Sequence, residues 1–332
     1  MAWYVGPRDV ERLLGDGLVT PGDCVAAVEA SFREQGEGNV GLVPRHILTA
    51  DGAEPEPRSR ALKLSASYQR ASRTMGASLY TTHFRPGEVD MWIALFSGET
   101  GRMQGILSGK ALSLWKTGAT AAVATRHLAR ADARRAALVG TGRYARAQLL
   151  CLAAVRDLTD VACHSRDPAN LAAFVAWAAA ALPHANVRAA ASAQDAVRDA
   201  DVVTTITISP TPVVRGEWLA PGTHVNAMGQ HAPATRELDT AAIAGARVVV
   251  DAREQAFAEK GEILLAIADG AIDAAHVAAE LGDVVAGRVP GRRTPGENTV
   301  FCSGGTALEY MGLCALLIER ARAADLGMQL DD

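Results

Sequence analysis

The stretch Ala136-Ala137-Leu138-Val139-Gly140-Thr141-Gly142-Arg143-Tyr144-Ala145-Arg146-Ala147-Gln148 decides the fold. A short apolar run leads into a G-x-G-x-x-A turn, and residues that favour a helix follow. Gly140 permits the tight turn, Gly142 lets the backbone approach a pyrophosphate, and Ala145 lets the helix pack closely on the strand. The helix amino terminus offers N–H groups to phosphates. The pattern predicts a dinucleotide site formed by Gly140, Thr141, Gly142, Arg143, Tyr144 and Ala145, with a purely structural glycine turn as the alternative.

Beyond residue 134 the chain alternates between apolar strands and helices. Strands are predicted near Ala136–Val139, Val161–His164, Val187–Ala189, Val202–Thr205, His224–Met228 and Val248–Asp251. Helices are predicted near Ala145–Val155, Pro168–Ala181, Ala193–Ala200 and after Glu254. This rhythm predicts an α/β fold whose parallel sheet is covered by helices on both faces.

The first 110 residues follow a different pattern. Strand-like runs at Ala61–Tyr68, Ala77–Phe84, Met91–Ser97 and Met103–Leu107 predict a mainly antiparallel sheet. Thr20 caps a helix that Pro21 opens, whereas Val10–Leu14 is expected to form a helical turn at most. Residues 43–48 are expected to be short and extended, and residues 51–60 to form a surface loop. Further helices are predicted at Lys110–Leu128 and Ala307–Leu326, and the last should return to the first unit.

Composition excludes several classes of protein. The 332 residues are 49% hydrophobic and 21% charged with a net charge of -4, so nothing indicates a nucleic-acid or anionic-membrane partner. No run reaches the roughly 18 apolar residues of a membrane span. The five cysteines form no C-x-x-C pair and the amino-terminal residues do not resemble a signal peptide, so we expect a cytoplasmic protein. The histidines show no metal-ligand spacing, and no metal is expected.

Several segments together resemble the ornithine cyclodeaminase/μ-crystallin family, which includes imine (ketimine) reductases and alanine dehydrogenases. In chain order they are Tyr80–Thr82, Leu95–Gly101, Thr117–Arg130, Val139–Gly142, Val225–Gly229, Arg236–Asp239, Val250–Ala256 and Phe301–Ala307. The resemblance implies a Rossmann-type doubly wound parallel sheet in an NAD(P)-binding domain at residues 116–305. It also implies an α+β substrate and dimerisation domain at residues 1–115 and 306–332, and a homodimer.

The chemistry implied by the resemblance is hydride transfer between nicotinamide C4 and the α-carbon of a small amino or imino acid. Arg45 matches the carboxylate-binding arginine of the family, and a guanidinium suits a planar carboxylate. A surface arginine is the alternative. Substrate binding is assigned to Arg45, Ser78, Lys116 and Gly305.

The sequence departs from the family pattern at three reactive positions. Ser78 stands where the active-site lysine is expected before Tyr80, and Lys63 on the preceding strand could reach the same space. Lys116 replaces an arginine, so the charge remains but the bidentate fork is lost. His231 falls where an aspartate is common and could move a proton near neutral pH. Catalytic roles are therefore predicted for Lys63, Lys116 and His231, with an exposed lysine and an uninvolved loop histidine as alternatives.

The choice of cofactor depends on the end of the second strand. Ser165 and Arg166 suit a 2′-phosphate and favour NADP(H), whereas the nearby Asp167 keeps NAD(H) open. Further residues expected to line the cofactor are Thr82, Thr205, Thr207, Met228 and Ser303.

The favoured interpretation is an NAD(P)H-dependent imine reductase or amino-acid dehydrogenase. The alternatives are an ornithine cyclodeaminase-type lyase that recycles NAD, and a cofactor-binding protein that has lost catalysis. The altered reactive positions count against the lyase.

Overall fold

The computed structural model describes residues 1–50, 52, 59–84 and 89–330. The chain forms two compact units, the first from the described parts of residues 1–116 and 305–332, the second from residues 117–304. Lys116 and Gly305 fall in the first unit, outside the second unit that corresponds to the nucleotide-binding domain predicted for residues 116–305.

The described residues contain strands and α-helices with the following bounds. The strands are β1 (Ala2–Val5), β2 (Val40–Thr49), β3 (Ala61–Gln69), β4 (Thr74–Thr82), β5 (Val89–Ser97), β6 (Met103–Ser108), β7 (Arg135–Val139), β8 (Asp160–His164), β9 (Asn186–Ala189), β10 (Val202–Thr205), β11 (His224–Ala227), β12 (Ala246–Val250), β13 (Val277–Glu280), β14 (Asn298–Cys302) and β15 (Met328–Leu330). The helices are α1 (Pro7–Gly15), α2 (Pro21–Gly36), α3 (Gly109–Leu128), α4 (Ala145–Ala153), α5 (Pro168–Ala181), α6 (Ala193–Val197), α7 (Thr240–Ala244), α8 (Arg253–Glu259), α9 (Gly261–Ala268), α10 (Leu281–Val285) and α11 (Leu308–Ala323).

The second unit is built on a parallel sheet of eight strands in the order β13-β12-β14-β11-β10-β7-β8-β9. From β7 the chain adds β8 and β9 on one side and then β10 and β11 on the other, so its direction reverses between β7 and β10. Ligands of doubly wound sheets bind at the carboxyl ends of the strands at such a reversal. The central strands are apolar because both faces of the sheet are buried.

The first unit contains a seven-stranded sheet in the order β15-β1-β6-β5-β4-β3-β2, antiparallel except for the β1–β6 pair. Both ends of the chain contribute to it, since β15 pairs with β1. Helix α11 packs on β3, β4 and β5, and α2 packs on α11. The side-chain period of two puts Ser78 on the buried face and leaves Leu79 39% exposed on the other.

The structure confirms the predicted α/β class with its doubly wound parallel sheet. Three local predictions were wrong or incomplete. Helix α1 is a nine-residue helix because Pro7 opens it and its apolar stripe is buried, whereas only a turn was expected. Strand β2 extends over ten residues through a register shift around Pro44. Strand β14 was not predicted, because its short apolar run directly follows a loop rich in proline and arginine. Most of the expected loop at 51–60 lies outside the described residues.

Candidate active site

The glycine loop begins where β7 ends. Gly140 has φ +107, a conformation that side-chain-bearing residues rarely adopt, and its N–H donates to the carbonyl of His164 at 2.9 Å. A Cβ at Gly140 would lie 2.5 Å from the carbonyl oxygen of Ile206, which follows β10. Glycine is therefore required at the point where the two central strands meet.

The rest of the loop provides room and donors for a phosphate. A Cβ placed on Gly142 would meet no atom within 4 Å, so the space beside it is open. The buried Thr141 Oγ1 finds no hydrogen-bond partner among the described residues. Ala145 is fully buried and starts α4, while the Arg143 guanidinium lies over the Tyr144 ring. These features fit a bound pyrophosphate at the amino terminus of α4.

The residues expected to select the cofactor follow β8. Asp167 is the amino-terminal cap of α5, and its Oδ1 accepts the N–H groups of Ala169 and Asn170 at 2.9 and 3.1 Å. Its Oδ2 accepts the Asn170 side-chain amide at 2.9 Å. Arg166 is exposed and Ser165 is half-buried. Both carboxylate oxygens of Asp167 are thus engaged within its own helix.

Other predicted cofactor residues lie at the same carboxyl edge of the parallel sheet. Thr205 ends β10, Met228 follows β11 and Ser303 follows β14, and these three strands are neighbours. The Thr205 hydroxyl donates to Glu237 at 3.0 Å and the Thr207 N–H donates to the same carboxylate at 2.6 Å. Ser303 Oγ donates to Asp251 at 3.0 Å. Thr82 lies in the first unit, where its buried Oγ1 has no partner within the described ranges.

Two cations converge on Gly305 in the first unit. Arg45 Nη2 donates to the Gly305 carbonyl at 2.7 Å. A Cβ on Gly305 would lie 3.0 Å from Lys116 Nζ and 3.8 Å from Arg45 Nη2. Gly305 also has φ +72, so both the backbone and the space favour glycine. Three residues far apart in the sequence therefore form one positively charged site.

A buried carboxylate accompanies this pair. Glu309 Oε1 lies 3.1 Å from Lys116 Nζ, and Glu309 Oε2 accepts the Thr306 hydroxyl at 2.6 Å. Lys116 Nζ is also 5.2 Å from the centre of the Tyr310 ring. Glu309 is fully buried and Lys116 is 5% exposed. Among the described residues, the guanidinium of Arg45, the ammonium of Lys116 and the carboxylate of Glu309 therefore lie around one loop at Gly305.

Lys63 lies on the buried face of the antiparallel sheet, opposite Tyr80 on β4. The next pair along the same face is Ser65 and Ser78, whose hydroxyl oxygens are 2.9 Å apart. Ser78 is 2% exposed and Lys63 is half-buried. The adjacent strand therefore places an ammonium group one residue pair from Ser78, on the same face.

His231 lies in the second unit, in the loop after β11, where it is exposed. The residue before it is firmly held, since Gln230 Nε2 donates to the Ser209 carbonyl at 2.8 Å and Gln230 Oε1 accepts the Thr235 hydroxyl at 2.8 Å. The proton-transfer role of His231 stays a prediction.

Sequence reasoning missed Glu309 and Glu237. Thr306 and Glu309 have the T-x-x-E spacing of a capping box, which could have identified Glu309 as a residue of the first turn of α11. Nothing in the neighbouring sequence identifies Glu237 as buried.

Among the described residues, no cluster of histidine, cysteine and acidic side chains could hold a metal ion, and no helix is long and apolar enough to cross a membrane.

A doubly wound parallel sheet with this glycine loop defines a protein of the dinucleotide-binding class. The model of the Ornithine cyclodeaminase/mu-crystallin family matches residues 14–325, and the chain belongs to that family. This confirms the resemblance seen in the sequence.

Relatives with assigned activities agree with this membership. The chain is 34% identical over 245 residues to a Delta(1)-pyrroline-2-carboxylate reductase of Bacillus cereus, covering 72% of this chain and 73% of the relative. The Thermococcus litoralis Delta(1)-pyrroline-2-carboxylate reductase, solved with NADH and L-proline, superposes with a TM-score of 0.90 at 28% identity, covering 99% and 100% of the two chains. An archaeal alanine dehydrogenase dimer with bound NAD gives a TM-score of 0.89 at 27% identity, covering 99% of each chain.

Proposed function

We propose that this protein is an NAD(P)H-dependent oxidoreductase that transfers hydride to or from the α-carbon of a small amino or imino acid. The observation that carries the proposal is the convergence of Arg45 and Lys116 on Gly305 beside the buried Glu309 carboxylate. In a family whose relatives include imine reductases and an alanine dehydrogenase, such a site suits the carboxylate of the substrate.

The proposed site residues have two roles, which are binding the substrate and transferring a proton. Arg45 and Lys116 bind the carboxylate, and the ion pair with Glu309 holds the Lys116 ammonium beside Gly305. Lys63, which lies on the same face of the antiparallel sheet as Ser78, is the general acid or base, with His231 as the second candidate. A bound nicotinamide supplies or accepts the hydride.

We propose a preference for NADP(H). A ribose 2′-hydroxyl is usually bound by a free carboxylate near the end of the second strand. Here both oxygens of Asp167 already accept hydrogen bonds within α5, whereas Arg166 is exposed and positively charged. A nicotinamide cofactor is supported by relatives that bind NADH or NAD, and the preference for the phosphorylated form is our inference for this chain.

We further propose a homodimer formed through the exposed face of the antiparallel sheet. Cross-strand pairs on that face are apolar, with Leu48 opposite Leu62 and Leu64 opposite Leu79. Leu48 is 59% exposed and Leu79 is 39% exposed. A second copy of this chain is the occupant we infer, since contiguous exposed apolar surface is typical of interaction sites and a related structure is a dimer.

A cytoplasmic location is also part of the proposal. All five cysteines are buried and form no disulfide bond, as expected in a reducing compartment. Fractionation of the native organism tests this.

The direct test measures consumption of NADPH and NADH against cyclic imines and against 2-oxo acids supplied with ammonia or methylamine. We expect turnover with one of these classes and faster turnover with NADPH. Ammonia release from ornithine or lysine without net cofactor consumption would instead identify a cyclodeaminase. Cofactor binding with no turnover in either assay would identify a binding protein.

A further inference from the structure

Four charged side chains are 0% exposed in the second unit, and none of them belongs to the residues assigned to the reaction. Asp251 accepts the Ser303 hydroxyl, and the other three, Glu237, Lys260 and Glu262, form one network. Burying charge is costly unless every group is paired and hydrogen-bonded. Their partners therefore indicate which part of the structure they stabilise.

The Glu237 carboxylate joins the loops after β10 and β11. Its Oε1 accepts the N–H of Thr207 at 2.6 Å, and its Oε2 accepts the N–H of Gly229 at 2.7 Å and the hydroxyl of Thr205 at 3.0 Å. Strands β10 and β11 are parallel neighbours, so both loops start at the carboxyl edge of the sheet. One side chain thus bridges two loops that carry predicted cofactor residues.

The two loops also approach too closely for any side chain at Gly229. A Cβ there would lie 2.2 Å from the Thr207 carbonyl oxygen and 2.6 Å from Glu237 Oε1. The separation of the loops is therefore fixed by the carboxylate on one side and by direct backbone contact on the other.

Lys260 and Glu262 hold this bridge in place. Glu262 Oε1 accepts the backbone N–H of Glu237 at 2.9 Å, and Glu262 Oε2 lies 3.2 Å from Lys260 Nζ. Lys260 Nζ in turn donates to the carbonyl of Gln230, the residue before His231. Burial and the nearby Glu262 raise the pKa of Glu237, and the bonds from Thr207 and Gly229 oppose that shift. Both Glu237 oxygens accept hydrogen bonds, which is the geometry of an ionised carboxylate.

We infer that Glu237, supported by Lys260 and Glu262, is a positioning residue that sets the separation of the two loops carrying Thr205, Thr207 and Met228. The inference rests on the proposed function, because these loops are assigned to the nicotinamide cofactor there. Small displacements of groups that orient reactants lower turnover strongly. The network therefore acts on the rate of the reaction as well as on the stability of the fold.

The test compares Glu237→Gln with Asp201→Asn. Asp201 is a matched control because it is also a buried carboxylate of this unit that accepts two backbone N–H groups, from Arg134 at 3.0 Å and Arg135 at 2.9 Å. It directly precedes β10 and so lies at the amino edge of the sheet. In Glu237→Gln one amide N–H must face a backbone donor, which drives the loops apart.

We expect Glu237→Gln to lower kcat on the order of 100-fold, while Asp201→Asn keeps kcat within about twofold because it touches no nucleotide loop. Both variants should lose stability, so the assays are run at a temperature where circular dichroism shows both to be folded. NADPH binding is measured separately by fluorescence titration. Equal kcat values for the two variants overturn the inference and leave the proposed function intact. A wild-type protein that binds no nicotinamide cofactor overturns both.

If Glu237→Gln does not fold, the Thr205→Val variant tests the positioning role of Glu237 instead. Valine keeps the shape of this buried strand residue and removes only the hydroxyl that donates to Glu237. A kcat lowered about fivefold at saturating NADPH supports the inference. Wild-type kinetics, or a loss confined to NADPH affinity, overturns it.

Discussion

The glycine loop and the cation site solve the problem of binding an anion in two different ways. Gly140, Gly142 and Ala145 lie within six consecutive residues, and they offer backbone N–H groups in open space. Arg45, Lys116 and Gly305 come from a strand, a helix and a loop, and they offer side-chain charge beside a buried carboxylate. Backbone binding tolerates changes in neighbouring side chains, whereas side-chain binding depends on each residue.

The largest expected effect is the loss of the guanidinium from the cation site. Arg45→Ala should lower kcat/KM for the imino or amino acid about 1000-fold, because removing a charged partner that donates two hydrogen bonds to a carboxylate commonly costs several kcal/mol. NADPH affinity, measured by fluorescence titration, should stay unchanged. If NADPH affinity falls as far as kcat/KM, then the assignment of the two anion sites to different ligands is wrong.

Arg45→Lys is the matched control for charge. It keeps one positive charge but loses the planar fork that donates two parallel hydrogen bonds. We expect an intermediate loss of about 30-fold in kcat/KM.

The second largest expected effect is the loss of NADPH affinity when a glycine of the loop is replaced. Gly142→Ala should weaken NADPH binding about 10- to 100-fold without changing stability, since its Cβ enters open space and would keep a phosphate away from the backbone N–H groups. Gly140→Ala should weaken binding and also destabilise the protein, because its φ is +107 and a Cβ would lie 2.5 Å from Ile206 O. Thermal unfolding and fluorescence titration separate the two. Equal loss of stability in both variants would show that Gly142 is needed by the fold rather than by a ligand.

The contrast between the glycine loop and the cation site also explains which features could be predicted from the sequence. The glycine loop and the strands around it follow from adjacent residues, so the doubly wound sheet could be predicted from local pattern. Arg45 and Lys116 were found only through family resemblance, and their convergence on Gly305 depends on a helix and a sheet meeting at long sequence separation. Glu309 and Glu237 were missed because burial of a charged side chain is set by its partners, and a sequence does not show partners.

A third prediction concerns a buried histidine, His224, which begins β11 at the amino edge of the parallel sheet. His224 is fully buried between Thr299 Oγ1 at 2.9 Å and Asn226 Oδ1 at 3.1 Å. Burial lowers the pKa of His224 to about 3. Above pH 6.5 the imidazole is neutral in both folded and unfolded chains, so it adds no pH dependence. Below pH 6.5 only the unfolded chain gains the proton, and stability falls by about 1.4 kcal/mol per pH unit.

Urea unfolding at pH 7.5 and pH 5.0 measures this effect. The wild-type protein should lose about 2 kcal/mol more than His224→Gln across that interval, because glutamine can bond to both neighbours but does not titrate. Equal losses in the two proteins would mean that His224 is protonated in the fold. The first unit holds none of these partners, so the effect belongs to the nucleotide-binding unit alone.

The smallest expected effect tests whether side-chain charge also contributes at the nucleotide site. Arg166→Ala should weaken NADPH binding about tenfold and leave NADH binding unchanged, because an exposed arginine can pair with a 2′-phosphate and NADH carries none. Arg134→Ala is the control, since Arg134 is also exposed but precedes β7 at the amino edge of the sheet. Asp167→Asn should leave the ratio of the two affinities unchanged, because its carboxylate oxygens are engaged in capping α5. A lower NADH affinity in Asp167→Asn, with Arg166→Ala unaffected, would instead assign the ribose 2′-hydroxyl to Asp167 and make NAD(H) the cofactor.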